Sequence, residues 1–270
     1  MTQLLAGPIW LIGCGNMAGA MLRRWLDTGH VSATDVTVIN RSGTLPIDGI
    51  RVLTEVPADA PAPATVMLGV KPQQLDTIAQ AAVAQLRPKL LLSILAGVEN
   101  PALAARFQAD AIVRAMPNLP VSIGKGVVAL HSDSTDERLR GAATALMAPL
   151  GTVEWIGEEG LFDAVTALSG CGPGFVFRFI DAMGAAGAAL GLPEDQARRL
   201  AIATVEGAGA LASGTDASPA TLADRVASPG GSTREGLNVL DREDVLRRLM
   251  AETLAASARR NAEMAAAARG

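Results

Sequence analysis

"IWLIGCGNMAGAM" (Ile9–Met21) joins four apolar residues, Ile9 to Ile12, to a glycine-rich turn and then to a helix-like run that reaches Asp27. Gly13 and Gly15 stand in the turn, with Ala18 or Gly19 one helical turn further on. A residue without a Cβ permits a tight reversal, and bare backbone lets a pyrophosphate approach the N-terminal amides of the following helix. The glycine pattern is weak by itself. Set between a strand and a helix, it predicts a dinucleotide-binding turn made by Gly13, Cys14, Gly15, Asn16 and Met17.

Outward from this stretch, short apolar runs alternate with helix-like segments up to about residue 155: "VTVIN", "ATVMLGV", "LLLSILAGV", "AIVRAM" and "GVVAL". Short β-branched runs bounded by Gly or Pro are typical of strands buried on both faces. Their alternation with helices predicts an α/β half with a parallel, doubly wound, Rossmann-like sheet. "VPADAPAPAT" at 56–65 reads as an extended surface loop. Beyond about residue 160 the pattern becomes helical throughout, near 173–190, 193–213, 218–226, 232–240 and 243–267. The expected organisation is a nicotinamide-binding domain over 1–160 and an all-α domain over 161–270. Helices as rich in Ala and Gly as "AMGAAGAALG" and "EGAGALASG" allow close approach, and the apolar surplus of this half predicts a homodimer through it.

The cofactor is read from the strand ends. An acid at the end of the second strand would bind the ribose hydroxyls of NAD. Here "VINRSG" offers Asn40, Arg41 and Ser42, a cation and hydroxyl donors suited to a 2′-phosphate. NADPH is therefore expected over NADH, which stays open as an alternative. "LGVKPQQL" and "SILAGV" end two further strands where doubly wound sheets bind ligands, so Val70, Lys71, Pro72, Ala96 and Gly97 are expected to line the cleft. "RAMPNLP" places Met116, Pro117 and Asn118 either beside the nicotinamide or simply in a proline-stiffened strand exit.

Composition closes off other classes. A net charge of −4 with 49% apolar and 19% charged residues describes a globular chain and argues against nucleic acid as partner. Arg178 and Asp181 interrupt the long apolar run of the second half, so no membrane span is expected. The apolar N-terminus lacks the basic residues of a signal peptide. Two cysteines, Cys14 and Cys171, without a CxxC pair fit a reducing cytoplasm. With His30 and His131 the only histidines, no metal site is expected.

The helical half is broken by "SPGGSTREG" (Ser228–Gly236). Pro229 ends one helix, Gly230 and Gly231 open unusual backbone angles, and Ser232 and Thr233 begin another whose first amides lack partners. Such a turn is either an anion site or an ordinary link between helices with a hydroxyl cap.

Six motifs, "IGCGNMAGAM", "NRS", "GVKPQ", "LAGV", "RAMPN" and "ALSGCGPGFVF", followed by "VASPGGSTREGLNVLD", resemble the pyrroline-5-carboxylate reductase family in order and over nearly the whole chain. Cys171, Gly174, Ser232 and the pair Arg234–Glu235 depart mildly from its usual residues. The resemblance implies a helical domain that interleaves with a partner's, dimers that often gather into rings, and an active site shared between protomers. It also implies that Ser228, Gly230, Gly231 and Ser232 hold a substrate carboxylate and that the Thr233 hydroxyl reaches the ring nitrogen of the small-molecule substrate. The reaction so implied, hydride transfer from NADPH to the cyclic imine of 1-pyrroline-5-carboxylate to give L-proline, needs placement and charge balance more than a strong base. Asp216 matches an acidic position near the family site and Glu159 would stand on its rim, although both read more simply as surface carboxylates.

Two other activities are weighed: reduction of a related cyclic imine acid, and a non-catalytic NADPH-binding regulator, which would leave "SPGGST" without a purpose. The β-hydroxyacid dehydrogenases use a lysine in their helical half. This chain has only Lys71, Lys89 and Lys125, all before it.

Overall fold

A computed structural model describes residues 4–57 and 62–269, so residues 58–61 of the proline-rich loop lie outside the described residues. One eight-stranded sheet runs in the order β3-β2-β1-β4-β5-β6-β7-β8. The strands are β1 (Ile9–Ile12), β2 (Val36–Ile39), β3 (Arg51–Leu53), β4 (Thr65–Leu68), β5 (Leu90–Ser93), β6 (Ala111–Pro117), β7 (Gly126–His131) and β8 (Gly151–Trp155). The helices of this half are α1 (Asn16–Asp27), α2 (Leu75–Ala79), α3 (Asn100–Ala104), α4 (Glu137–Met147) and α5 (Phe162–Val165). Then come α6 (Gly172–Ala189), α7 (Glu194–Ser213), α8 (Pro219–Arg225), α9 (Ser232–Asp241) and α10 (Val245–Arg269).

Strands β1, β2, β4 and β5 are buried on both faces because both faces are covered. Leu11, Val38, Met67 and Leu92 pack on one side with Met21, Leu22 and Trp25 of α1 and Leu139 of α4. Trp10, Ile12, Val66, Leu68 and Leu91 pack on the other with Leu75 of α2 and Leu103 of α3. Each such side chain contributes about 1.5–3 kcal/mol by leaving water, and the register that pairs Leu11 with Val38 and Met67 keeps the two apolar sets on their own sides.

The expected strands are all present, and the sheet differs from a purely parallel one in one place. β6 and β7 pair antiparallel, with Met116 opposite Ala129. The reason is length: only Asn118–Lys125 separates them, too short for the crossover of a dozen or more residues that parallel pairing demands. β7 and β8 are parallel again, because α4 lies between them. β3 and β8 had no clear sequence signal. β3 is three residues long and begins on exposed Arg51, and β8 alternates partly buried with exposed positions.

The chain divides into two compact units, Met1–Cys171 with Ser257–Gly270, and Gly172–Ala256. The last turns of α10 thus belong with the sheet. In the second unit α6 and α7 lie close: a Cβ on Gly184 would sit 3.5 Å from the Arg198 backbone, and one on Gly187 3.3 Å from Ala197 Cβ. Glu159–Ala189 is long and apolar enough, with a mean hydropathy of 1.2, to cross a membrane by length and composition. Arg178 and Asp181, paired at 3.2 Å, interrupt its apolar run.

Candidate functional site

A cleft of about 600 Å³ opens at the carboxyl ends of β1, β2 and β4. Gly13, Cys14, Gly15, Asn40, Arg41, Ser42, Val70 and Lys71 line it, so eight of the expected cofactor residues converge there. The two glycines of the turn do different work. Gly13 adopts φ +83°, and a Cβ on it would meet Val70 at 2.7 Å, so its smallness serves the protein's own packing. Its N–H donates to the Ile39 carbonyl at 2.8 Å and ties the turn to β2. Gly15 caps α1 from an extended conformation and has nothing within 4 Å of where its Cβ would be. Its bareness leaves room for a ligand instead. Of the two candidates for the third position, Ala18 is the one packed on the neighbouring strand exit: its Cβ lies 3.0 Å from where a Cβ on Gly69 would stand. Asn16 and Met17 are the first helical residues of α1; the Met17 side chain packs toward the core, leaving its backbone to face the turn.

Asn40 shapes the next loop from within. Its Oδ1 accepts from Gly43 N–H at 2.9 Å and Ser42 Oγ at 3.0 Å, while its Nδ2 donates to the Thr44 carbonyl at 2.9 Å. Asn40 is thus a scaffold that presents exposed Arg41 and Ser42 to the cleft. Thr54, Glu55, Gln74 and Thr77 also line it and were not anticipated. Thr54 and Glu55 follow β3, the strand too short to read from sequence. Glu55 adds one carboxylate to a lining that also carries the cations of Arg41 and Lys71. Burial pushes the Cys14 thiol up to about 11, against an opposing pull from Arg23.

Further along the same edge a smaller cavity of about 120 Å³ is lined by Pro72, Ala96, Gly97, Arg114, Met116 and Asn261, among others. Adjacent residues Lys71 and Pro72 line one hollow each, so the two follow one another along the strand ends. Gly97, at φ +73°, is where α10 seats: a Cβ there would lie 3.1 Å from Ala265 Cα.

Glu159 is not a surface carboxylate. Its Oε1 pairs with Arg114 Nη1 at 3.1 Å and accepts from Asn100 N–H at 2.8 Å, and Arg114 lies 4.3 Å from the centre of the Phe162 ring. Asn118 is likewise occupied inside the protein: Nδ2 donates to the Ser169 carbonyl at 2.9 Å and Oδ1 accepts from Val127 N–H at 2.8 Å. It binds the end of β6 to the π turn Thr166–Gly170, and of the three residues left open in sequence Met116 lines the cavity while Pro117 and Asn118 do not. Asp216 is exposed.

In the second unit the glycine loop follows its expectation only in part: α8 already ends at Arg225, before Pro229, and of the two glycines only Gly230 leaves the ordinary backbone regions, Gly231 being extended. Gly230 sits at φ +70°, and a Cβ on Gly231 would strike Ser228 Oγ at 2.6 Å, so neither position admits a side chain easily. Gly231 N–H donates to the Ser228 carbonyl at 3.0 Å and Gly231 caps α9 without a side-chain bond, so neither hydroxyl is spent on the cap itself. Ser232 and Thr233 are the first two helical residues, both exposed, with amides that have no partner within the helix. Arg234 donates to Asp224 at 2.8 Å and to the Ala227 carbonyl at 3.4 Å, clamping α9 to α8 across the loop.

Residues 159–264 match the family described as pyrroline-5-carboxylate reductase dimerisation, and residues 8–97 match NADP oxidoreductase, coenzyme F420-dependent. The chain is 33% identical over 267 residues to the pyrroline-5-carboxylate reductase of Pseudomonas aeruginosa, covering 95% of this chain and 96% of that one. The chain belongs to the pyrroline-5-carboxylate reductase family. The Synechocystis enzyme is similar to the same degree, 34% identical over 260 residues with 94% and 97% covered. A solved pyrroline-5-carboxylate reductase of Coxiella burnetii shares the fold at a TM-score of 0.83 and 29% identity, covering 96% of this chain and 98% of that one. The family is one of NAD(P)H-dependent oxidoreductases, and the helical region of this member is its dimerisation domain.

Proposed function

We propose that this chain reduces 1-pyrroline-5-carboxylate to L-proline with NADPH, the last step of proline synthesis, as a cytoplasmic homodimer. The observation that carries the reading is the full-length likeness to reductases of that name, joined to a glycine-turn cleft whose strand-end loop presents Arg41 and Ser42 where an NAD-binding acid would stand. The residues present fit such a cofactor: Gly15 leaves the helix start open and Gly13 holds the turn tight. Arg41 supplies a cation to the 2′-phosphate end and Lys71 a second one further along the cleft, against the single carboxylate of Glu55. NADPH, when bound, supplies the hydride that the imine carbon accepts.

The remaining work falls to this chain's own groups. The free amides at the start of α9, with Ser228, Gly230, Gly231 and Ser232, hold the substrate carboxylate, which the helix N-terminus favours by its dipole. The Thr233 hydroxyl accepts from the protonated imine N–H and donates to the amine that forms. No histidine is required, because a protonated imine is already an electrophile. We assign the main part of cofactor binding to residues 1–160, and dimerisation and substrate binding to residues 161–270. Exposed Phe177, Phe179, Leu200, Ile202, Leu249 and Met250 give the helical unit an apolar surface that a second copy would cover.

Consumption of NADPH absorbance on adding 1-pyrroline-5-carboxylate tests the reading, beside six-membered cyclic imine acids, 2-hydroxy acids and NADH. Turnover of the five-membered imine with NADPH is expected. No turnover of any imine would leave only the regulatory alternative.

A further inference from the structure

Four buried side-chain atoms among the described residues have no hydrogen-bond partner: Trp25 Nε1, both amide atoms of Asn100, and Asn261 Nδ2. Trp25 lies inside the apolar core, and Asn100 at the start of α3. Asn261 differs, because it lines the 120 Å³ cavity at the ends of β5 and β6 together with Pro72, Gly97 and Met116. A buried amide donor left unpaired is costly, and proteins keep such groups where something else completes them.

Its place is held firmly. Asn261 is one helical turn before Ala265 on α10, and Ala265 packs on Gly97 at a distance only a glycine allows. This close approach seats the helix directly against the strand-end loop and places the amide beside the cavity. That cavity, with room for about four waters, continues the dinucleotide cleft past Lys71 and Pro72, away from Arg41. A dinucleotide laid along this edge with its phosphate-bearing ribose at Arg41 brings its far ring to the Asn261 cavity. The one polar substituent on that ring is a carboxamide, whose oxygen needs a donor.

We propose that Asn261 is a positioning residue for the nicotinamide, its Nδ2 donating to the carboxamide oxygen and so fixing which face of the ring is turned outward. This rests on the NADPH reading of the cleft. The C-terminal helix thereby takes part in cofactor binding, a role the glycine motif gives no hint of.

The test is fluorescence titration of the full-length protein with NADPH, and displacement by 2′-phospho-ADP-ribose, which has the phosphates and adenine but no nicotinamide. Asn261→Ala and Asn261→Leu are each expected to weaken NADPH about tenfold and to leave 2′-phospho-ADP-ribose unchanged. Full affinity for the truncated ligand also certifies that the variants fold. The ligand-free melting temperature is expected to be no lower in Asn261→Leu, since the change removes an unpaired buried donor. Equal NADPH affinity in wild type and variants overturns the proposal, as does equal weakening of both ligands. Failure of the wild type to bind either ligand would instead remove the cofactor reading on which it stands.

Discussion

Arg114 and Glu159 form a buried ion pair, Nη1 to Oε1 at 3.1 Å, with side chains only 8% and 18% exposed. Glu159 also holds the N–H of Asn100, so a single carboxylate joins the end segment of the sheet unit, α3 and β6. Removing one member of such a pair leaves a buried charge uncompensated, which costs about 3–5 kcal/mol. Glu159→Ala is expected to lower stability by about 3 kcal/mol, and Glu159→Gln by less because an amide oxygen still accepts from Asn100. Urea unfolding followed by circular dichroism measures both. Equal stability of the alanine variant and wild type would show that the pair contributes nothing.

Arg41 stands exposed on the loop that Asn40 organises. A charge-assisted bond to a phosphate is worth about 1.5–3 kcal/mol, toward the lower end where water competes. Arg41→Ala is therefore expected to raise the KM for NADPH about tenfold and to leave that for NADH near its original value, as steady-state kinetics with both nucleotides would read. An unchanged KM for NADPH would take Arg41 out of cofactor recognition.

Thr233 is expected to matter in the chemical step. Thr233→Ala removes one hydrogen bond to the reacting nitrogen and should lower kcat/KM at least about tenfold, the ~1.4 kcal/mol of one useful bond. Gly231→Ala acts differently, because its Cβ meets Ser228 Oγ at 2.6 Å and deforms the amide cradle. Its expected loss is mainly in the KM for the imine acid. Equal activity of Thr233→Ala would remove that hydroxyl from the site.

The parts legible in sequence were those carried by local chemistry. Gly13 announced the turn because its positive φ favours glycine, Gly15 because a bare residue leaves room beside the helix start, and the all-helical stretch beyond residue 160 announced itself by period. The antiparallel step at β7 was hidden in a loop length, since the run "GVVAL" reads alike in either direction. Glu159 was misread because its partner Arg114 lies 45 residues away and only the fold brings them together. Glu55 and Thr54 escaped because β3 is too short to show a pattern. Asn261 was invisible for a further reason: it becomes informative only once its amide is seen buried beside a cavity. Asn118 was noticed, yet sequence could not tell a ligand from a strand exit whose amide is fully used by Ser169 and Val127.

Cys14 gives a pH-dependent prediction at the cofactor turn. Burial raises its thiol from an ordinary 9.0 to about 11, so only ~0.1% is thiolate at pH 8, and the thiolate is the reactive form. In a Cys171→Ser background, alkylation by iodoacetamide should be slow at pH 8, rise about tenfold for each pH unit toward pH 10, and be slowed by NADPH, since Cys14 lines the cleft. The linkage has the same direction. The folded state keeps its proton longer than the unfolded one, so the favourable contribution is complete below about 9 and is lost as pH rises through about 11. Labelling at pH 8 as fast as that of a free thiol would contradict the burial of Cys14, and labelling indifferent to NADPH would separate this cysteine from the cofactor site.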